Sequence, residues 1–169
     1  MKKYILDSNI YINFYDRYYK YDYFPSFWKN SPSILNKQVI IPNIVLKENY
    51  QDPWFKKWLT NNYSCETLNH SDYFDEWQFI LTYIQESDFY KNDAISRMGK
   101  GWRDVSIADP WLIAIAKREG YTIVTNENRS VNLSTSQPSK ASKIPYICDD
   151  LNIECIDMNQ CFKEISLSI

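Results

Sequence analysis

One stretch limits what this chain can fold into more than any other: Asp109-Pro-Trp-Leu-Ile-Ala-Ile-Ala-Lys-Arg-Glu-Gly120-Tyr-Thr-Ile-Val-Thr125-Asn-Glu127. It reads as a helix opened by Asp and Pro, stopped at Gly120, and followed at once by a buried strand and a polar turn. Near the start, Tyr4-Ile-Leu runs unbroken into Asp7-Ser-Asn9, a short apolar strand that ends on a carboxylate and feeds a helix. Both segments belong to a parallel sheet covered by helices, in which acids just past the carboxyl ends of different strands converge in one crevice. Composition agrees with a helix-rich α/β domain, because only three glycines in 169 residues are too few for a turn-rich all-β fold.

The length predicts one domain, residues 1–169, able to bury a core without disulfides. A net charge of −2 makes the whole chain a poor electrostatic match for nucleic acid, so any contact with RNA must be local. Cys65, Cys148, Cys155 and Cys161 form no Cys-x-x-Cys pair and His70 is the single histidine, which argues against zinc. The thiols are expected to be reduced and in the core. With no signal-like opening and no long apolar run, the expected location is cytoplasmic, with no membrane partner. The 17% aromatic share exceeds a core's needs and places some rings at a surface that meets a partner protein or unstacked bases.

Along the chain, residues 8–23 predict a first helix ended by Pro25, and 26–36 a second. Gln38 to Pro42 reads as a strand, with Asn43 as N-cap of a helix carrying Glu48. Asp52-Pro53 ends that helix or opens another. Residues 71–85 carry Tyr73, Trp77, Ile80, Leu81 and Ile84 at spacings of three and four, an amphipathic helix. The polar stretch 128–143 reads as a mobile loop, followed by a helix at 144–151, a strand at 153–156 and a helix at 159–165.

Four acids stand at element junctions, and each has an ordinary explanation. Asp109 before Pro110 is the expected N-cap and first residue of a helix, and Asp7 can help cap the next helix. Glu48 sits where the helix dipole favours an acid, and Glu127 can be a solvated turn residue. If all four meet, bare carboxylates about 5 Å apart repel by roughly 3 kcal/mol per pair at an effective dielectric near 20. Such a cluster needs cations, and oxygen ligands without His or Cys point to Mg²⁺ or Mn²⁺, one ion or two, activating water for attack on a phosphodiester.

With these residues in view, the chain resembles the PIN-domain nucleases, especially VapC-like toxin ribonucleases and a related PIN-like branch. Asp7-Ser-Asn9 looks like the first family motif, with Asp7 on the metal and Asn9 in support. Ile41-Pro-Asn-Ile-Val-Leu-Lys-Glu48 looks like the second, Asp109 to Thr125 like the third, and Thr125-Asn-Glu127 like the fourth, where Thr-x-Asp is more usual. The resemblance implies a three-layer α/β/α sandwich with a central parallel sheet of four or five strands. It also implies a metal-dependent endoribonuclease using Mg²⁺ or Mn²⁺ and, by likeness to the VapC-like members, the toxin of a toxin–antitoxin pair. Asp7, Glu48, Asp109 and Glu127 are its expected metal ligands and catalytic residues, with Thr125 supporting. The expected partners are RNA, a cognate antitoxin and a second copy in a homodimer. Outside the motifs, Lys100, Trp102 and Arg103 are expected to offer weak phosphate and base contacts. The rival expectation is an inert PIN-fold module that binds a protein, its acids serving as caps.

Overall fold

The computed structural model describes residues 1–129 and 132–167. Four short strands, β1 (Tyr4–Leu6), β2 (Val39–Ile40), β3 (Thr122–Val124) and β4 (Cys155–Ile156), form an all-parallel sheet in the order β2-β1-β3-β4. The register pairs Tyr4 with Thr122 and Leu6 with Val124, which ends the two central strands side by side. Beyond their ends, the Asp7 amide donates to the Val124 carbonyl at 2.9 Å, and the Thr125 amide to that of Ile156 at 3.1 Å. The chain leaves β1 towards β2, then crosses back over β1 to reach β3. Crossovers in opposite directions, with the right hand that parallel connections favour, place helices on both faces, and a reversal of this kind between β1 and β3 is where a crevice opens beyond the carboxyl ends.

On one face lie α1 (Ser8–Ile12), α2 (Pro25–Gln38) and α9 (Met158–Glu164). Phe14, in the turn that follows α1, packs between the last two, against Phe27 of α2 at 5.0 Å and Phe162 of α9 at 5.9 Å between ring centroids. Beside them, α3 (Asn43–Asn49) packs on α1, and α4 (Pro53–Asn62) adds Phe55 and Trp58 to the aromatic cluster. The opposite face carries α5 (Phe74–Glu86), α7 (Ala108–Glu119) and α8 (Ile144–Asp150), α7 packing on both others. A short α6 (Asp93–Ser96) lies between α5 and α7 in the chain. This is an α/β fold with a central parallel sheet of four strands between helical layers.

Local structure departs from expectation at several points. The first helix leaves the α-helical form at Ile12, passes through a π-helical turn at Asn13–Arg17 and stops, so Tyr18 and Tyr23 lie exposed. Asn43 is the first residue inside α3 rather than its cap, and its side-chain oxygen accepts from the His70 amide at 3.3 Å. Asp52 caps α4 by accepting from the Phe55 amide at 2.7 Å. The amphipathic helix is preceded by a 3₁₀ turn at His70–Tyr73, and Trp77, Ile80, Leu81 and Ile84 are buried as their spacing predicts.

Segment 128–143 has neither helix nor strand among its described residues, but it is tied down. The Ser139 amide donates to Phe89 at 2.9 Å and its carbonyl accepts from Lys91 at 2.8 Å; Ser130 and Val131 lie outside the described residues. All four cysteines are free, and Cys65 is exposed rather than in the core. Among the described residues, no helix is long and apolar enough to cross a membrane.

Candidate functional site

The crevice beyond β1 and β3 gathers the acids. Asp7 forms its floor at 3% exposure, in the backbone position of an N-cap with extended geometry, yet its side chain makes no capping hydrogen bond. Its Oδ2 accepts instead from the Thr125 hydroxyl at 2.9 Å. Thr125 is buried as well, and its oxygen accepts from the Glu127 amide at 3.1 Å, so one side chain ties the end of β1 to the turn after β3.

Asp109 does not cap α7. The helix starts one residue earlier, at Ala108, with Ile107 in the N-cap position and no side-chain cap, so Asp109 projects from within the first turn. The helix start is anchored by Trp111, whose ring stacks on Trp77 at 4.9 Å and whose Nε1 donates to the Val105 carbonyl at 3.1 Å. Capping does not account for Asp109, and at Asp7 the Asn9 backbone amide favours the charged carboxylate less than the Thr125 hydroxyl does, without forming a regular cap.

Electrostatics shows that these acids share one neighbourhood. Burial first, then the charges of Asp7, Glu127 and Glu48, push the Asp109 carboxyl up to about 8 against the opposing charge of Lys143. Burial likewise pushes Asp7 up to about 6, helped by Glu127 and Glu48 and opposed by the Thr125 hydroxyl and the Asn9 amide. A helix N-terminus favours an ionised acid by about 0.3–1 kcal/mol, and at Asp109 burial and like charge outweigh it. Acids from four distant parts of the chain thus press their charges on one another.

Glu48 stands at the exposed lip, in the second turn of α3, and accepts a hydrogen bond from the Ser8 hydroxyl. Asn9, expected in a supporting role, has its side chain on the exposed side while its backbone amide favours the ionised Asp7. Ser8, not singled out in the sequence, is buried and tethers Glu48, and its signal is the hydroxyl next to Asp7. Glu127 behaves differently from a free ligand: its Oε1 accepts from Lys143 Nζ at 2.6 Å and its Oε2 from the Ile144 amide at 2.8 Å. Both oxygens are engaged, and Lys143 was missed because it lies in a stretch with no pattern.

The donor set fits a hard divalent ion, since it offers carboxylate oxygens and holds two carboxyls whose ionised forms lack compensation. The nest is not preformed: among the described residues no three acid, histidine or cysteine side chains lie close enough to share an ion as they stand. Glu48 and Glu127 are both held by hydrogen bonds, Glu48 by the Ser8 hydroxyl at the exposed lip and Glu127 by Lys143 and the Ile144 amide.

Two clefts flank the acids. One of about 570 Å³ is lined by Glu48, Lys47, His70, Phe74 and Trp111. The other, about 600 Å³, is lined by Glu127, Arg129, Tyr18 and Asn159. The expected Lys100–Arg103 contact surface is not beside them. Trp102 is 3% exposed and part of the core, so it cannot stack a base, and Arg103 lines a separate small cleft with Gln85 and Asn92. Its burial follows from backbone bonds that fold the segment back on α6, Trp102 to Ala94 at 3.1 Å and Arg103 to Ile95 at 3.0 Å.

Fold and site together define an α/β protein with an acidic crevice at the switch point of a parallel sheet. The chain belongs to the family described as domain of unknown function DUF4411, whose model matches residues 4–169. No curated protein and no solved structure matches it.

Proposed function

We propose that the protein is a PIN-like, metal-dependent endoribonuclease in which Asp7, Asp109 and Glu48 hold Mg²⁺ or Mn²⁺. The observation that carries this reading is the mutual electrostatic pressure on Asp109 from Asp7, Glu127 and Glu48, acids drawn from four separate parts of the chain. A partly exposed carboxyl pushed up to about 8 by its surroundings costs folding stability at neutral pH unless a cation offsets it. The chemistry that an ion supplies here when bound is activation of water and stabilisation of charge on a phosphodiester.

The chain's own residues do the rest. Thr125 fixes the Asp7 carboxylate through its hydroxyl, Trp111 fixes the start of α7 and with it Asp109, and Ser8 holds Glu48 at the lip until it turns inward. The clefts on either side of the acids suit a single strand laid across them, its backbone over the acids and bases to each side. Lys47 and the half-exposed Phe74 in one cleft, and Tyr18 in the other, supply a cation and rings for that strand.

The test is cleavage of single-stranded RNA with Mg²⁺ or Mn²⁺ by the wild type, Asp7→Asn and Asp109→Asn. Cleavage by the wild type that is lost in both variants and on chelation supports the reading; full-rate cleavage by either variant overturns it.

A second reading is favoured by the engaged Glu127 and by the exposed Tyr21, Tyr23, Phe24 and Trp54: a PIN-fold module that binds a protein, such as an antitoxin or a second copy, without catalysis. Thermal melts separate the two, because a metal site gains stability by mass action when Mn²⁺ is added and a binding module does not.

A further inference from the structure

Lys143 is the one basic side chain that bonds an acid of the crevice among the described residues. It stands just before α8, and its ammonium meets Glu127 Oε1 at 2.6 Å, while the next residue's amide holds Oε2 at 2.8 Å. The Glu127 side chain is 15% exposed, against 46% for Lys143, so the carboxylate is fixed from two sides on a largely buried seat and the lysine reaches in from the surface. The groups facing the ammonium are Glu127 first, then Asp109 and Asp7, all of which hold its proton more tightly. With Asp7, Asp109 and Glu48 assigned to one ion, Glu127 is the acid left for a second, and each of its oxygens already accepts a hydrogen bond, one of them from the Lys143 ammonium.

Resting on the metal-site reading above, we propose that Lys143 stands in for a second metal: the crevice takes one divalent ion on Asp7, Asp109 and Glu48, and the lysine supplies the second positive charge. An ammonium is a compact charge with three donors, able to hold Glu127 with one and turn another to a phosphate oxygen. Glu127 in place of a shorter acid then has a physical use, since its extra methylene carries the carboxylate out to Lys143 and to the α8 backbone. Glu127 is in this account a positioning residue rather than a ligand.

The experiment counts Mn²⁺ bound per chain, by the loss of the free-ion electron paramagnetic resonance signal, in the wild type, Lys143→Met, Lys143→Arg, Glu127→Gln and Asp109→Asn, with folding checked by circular dichroism. The wild type should bind one ion, and Asp109→Asn should lose it. Lys143→Met, which keeps the Ile144 bond to Glu127, should take up a second ion, while Lys143→Arg should stay at one. Glu127→Gln should keep its ion with affinity reduced by less than about tenfold. Two ions on the wild type, a single ion on Lys143→Met, or loss of the ion in Glu127→Gln each overturns the proposal about Lys143 while leaving the metal site standing. No ion on the wild type overturns the metal site itself.

Discussion

Replacing Asp109 with Asn should stabilise the metal-free protein, and by an amount that depends on pH in a calculable way. The carboxyl is pushed from 3.8 up to about 8 by burial and by Asp7, Glu127 and Glu48. Between those values the folded protein keeps a proton that the unfolded chain has released, so the native state binds more protons and stability falls as pH rises through the window. At pH 7 the full shift corresponds to about 4 kcal/mol, at about 1.4 kcal/mol per unit. Asp109 keeps some contact with solvent and shares its titration with Asp7, so about 1–3 kcal/mol is the sensible expectation.

Asn has the same shape and no charge, and its gain at pH 7.5 should appear as roughly 2–10 °C in the melting temperature for a chain of this length. Near pH 4, where wild-type Asp109 is protonated, the gain should vanish. The assay is a thermal melt in chelator at both pH values, repeated with Mn²⁺, which should raise the wild-type melting temperature at pH 7.5 and leave that of Asp109→Asn unmoved. If the substitution lowers stability equally at both pH values, Asp109 is a structural partner and not a strained acid of a metal site.

Further outcomes follow from other contacts. Thr125→Val removes the hydroxyl that donates to Asp7 and accepts from the Glu127 amide; loss of one buried and one part-buried bond should cost about 1–3 kcal/mol in denaturant melts and weaken Mn²⁺ binding. Gly101→Ala should destabilise by about 1–3 kcal/mol, because the added Cβ lies 2.3 Å from the Ile95 carbonyl oxygen, a backbone atom that cannot swing away. Trp102→Ala should cost about 3–5 kcal/mol as a core truncation, whereas Lys100→Ala and Arg103→Ala should leave stability within about 0.5 kcal/mol. Comparable RNA affinity for Trp102→Phe and the wild type is expected, and a large loss there would return Trp102 to the surface role that its burial denies.

The parts of the fold that were legible in the sequence are those set by continuous apolar pattern. Strands β1 and β3 are short and buried on every residue because both are central in the sheet, and Trp77, Ile80, Leu81 and Ile84 mark the buried stripe of α5. What the pattern does not encode is how an end is finished. Asp109-Pro has the form of a cap, but Trp111 locking onto Trp77 and the Val105 carbonyl sets the helix start, and this is a tertiary contact. Trp102 looked like a surface ring among cations because its burial depends on the chain folding back onto α6. Lys143 carried no signal at all, since its partner lies 16 residues away across an irregular turn.

The measurement that bears most directly on the crowded acid crevice is a carbon-13 carboxyl titration of the metal-free protein by NMR. Asp109 should titrate near the level of about 8 to which burial and its neighbours push it. Its midpoint should drop in Asp7→Asn, and the carboxyl should ionise at lower pH when Mg²⁺ is present. A midpoint in the ordinary carboxylate range, unmoved by Asp7→Asn and indifferent to Mg²⁺, would contradict the account.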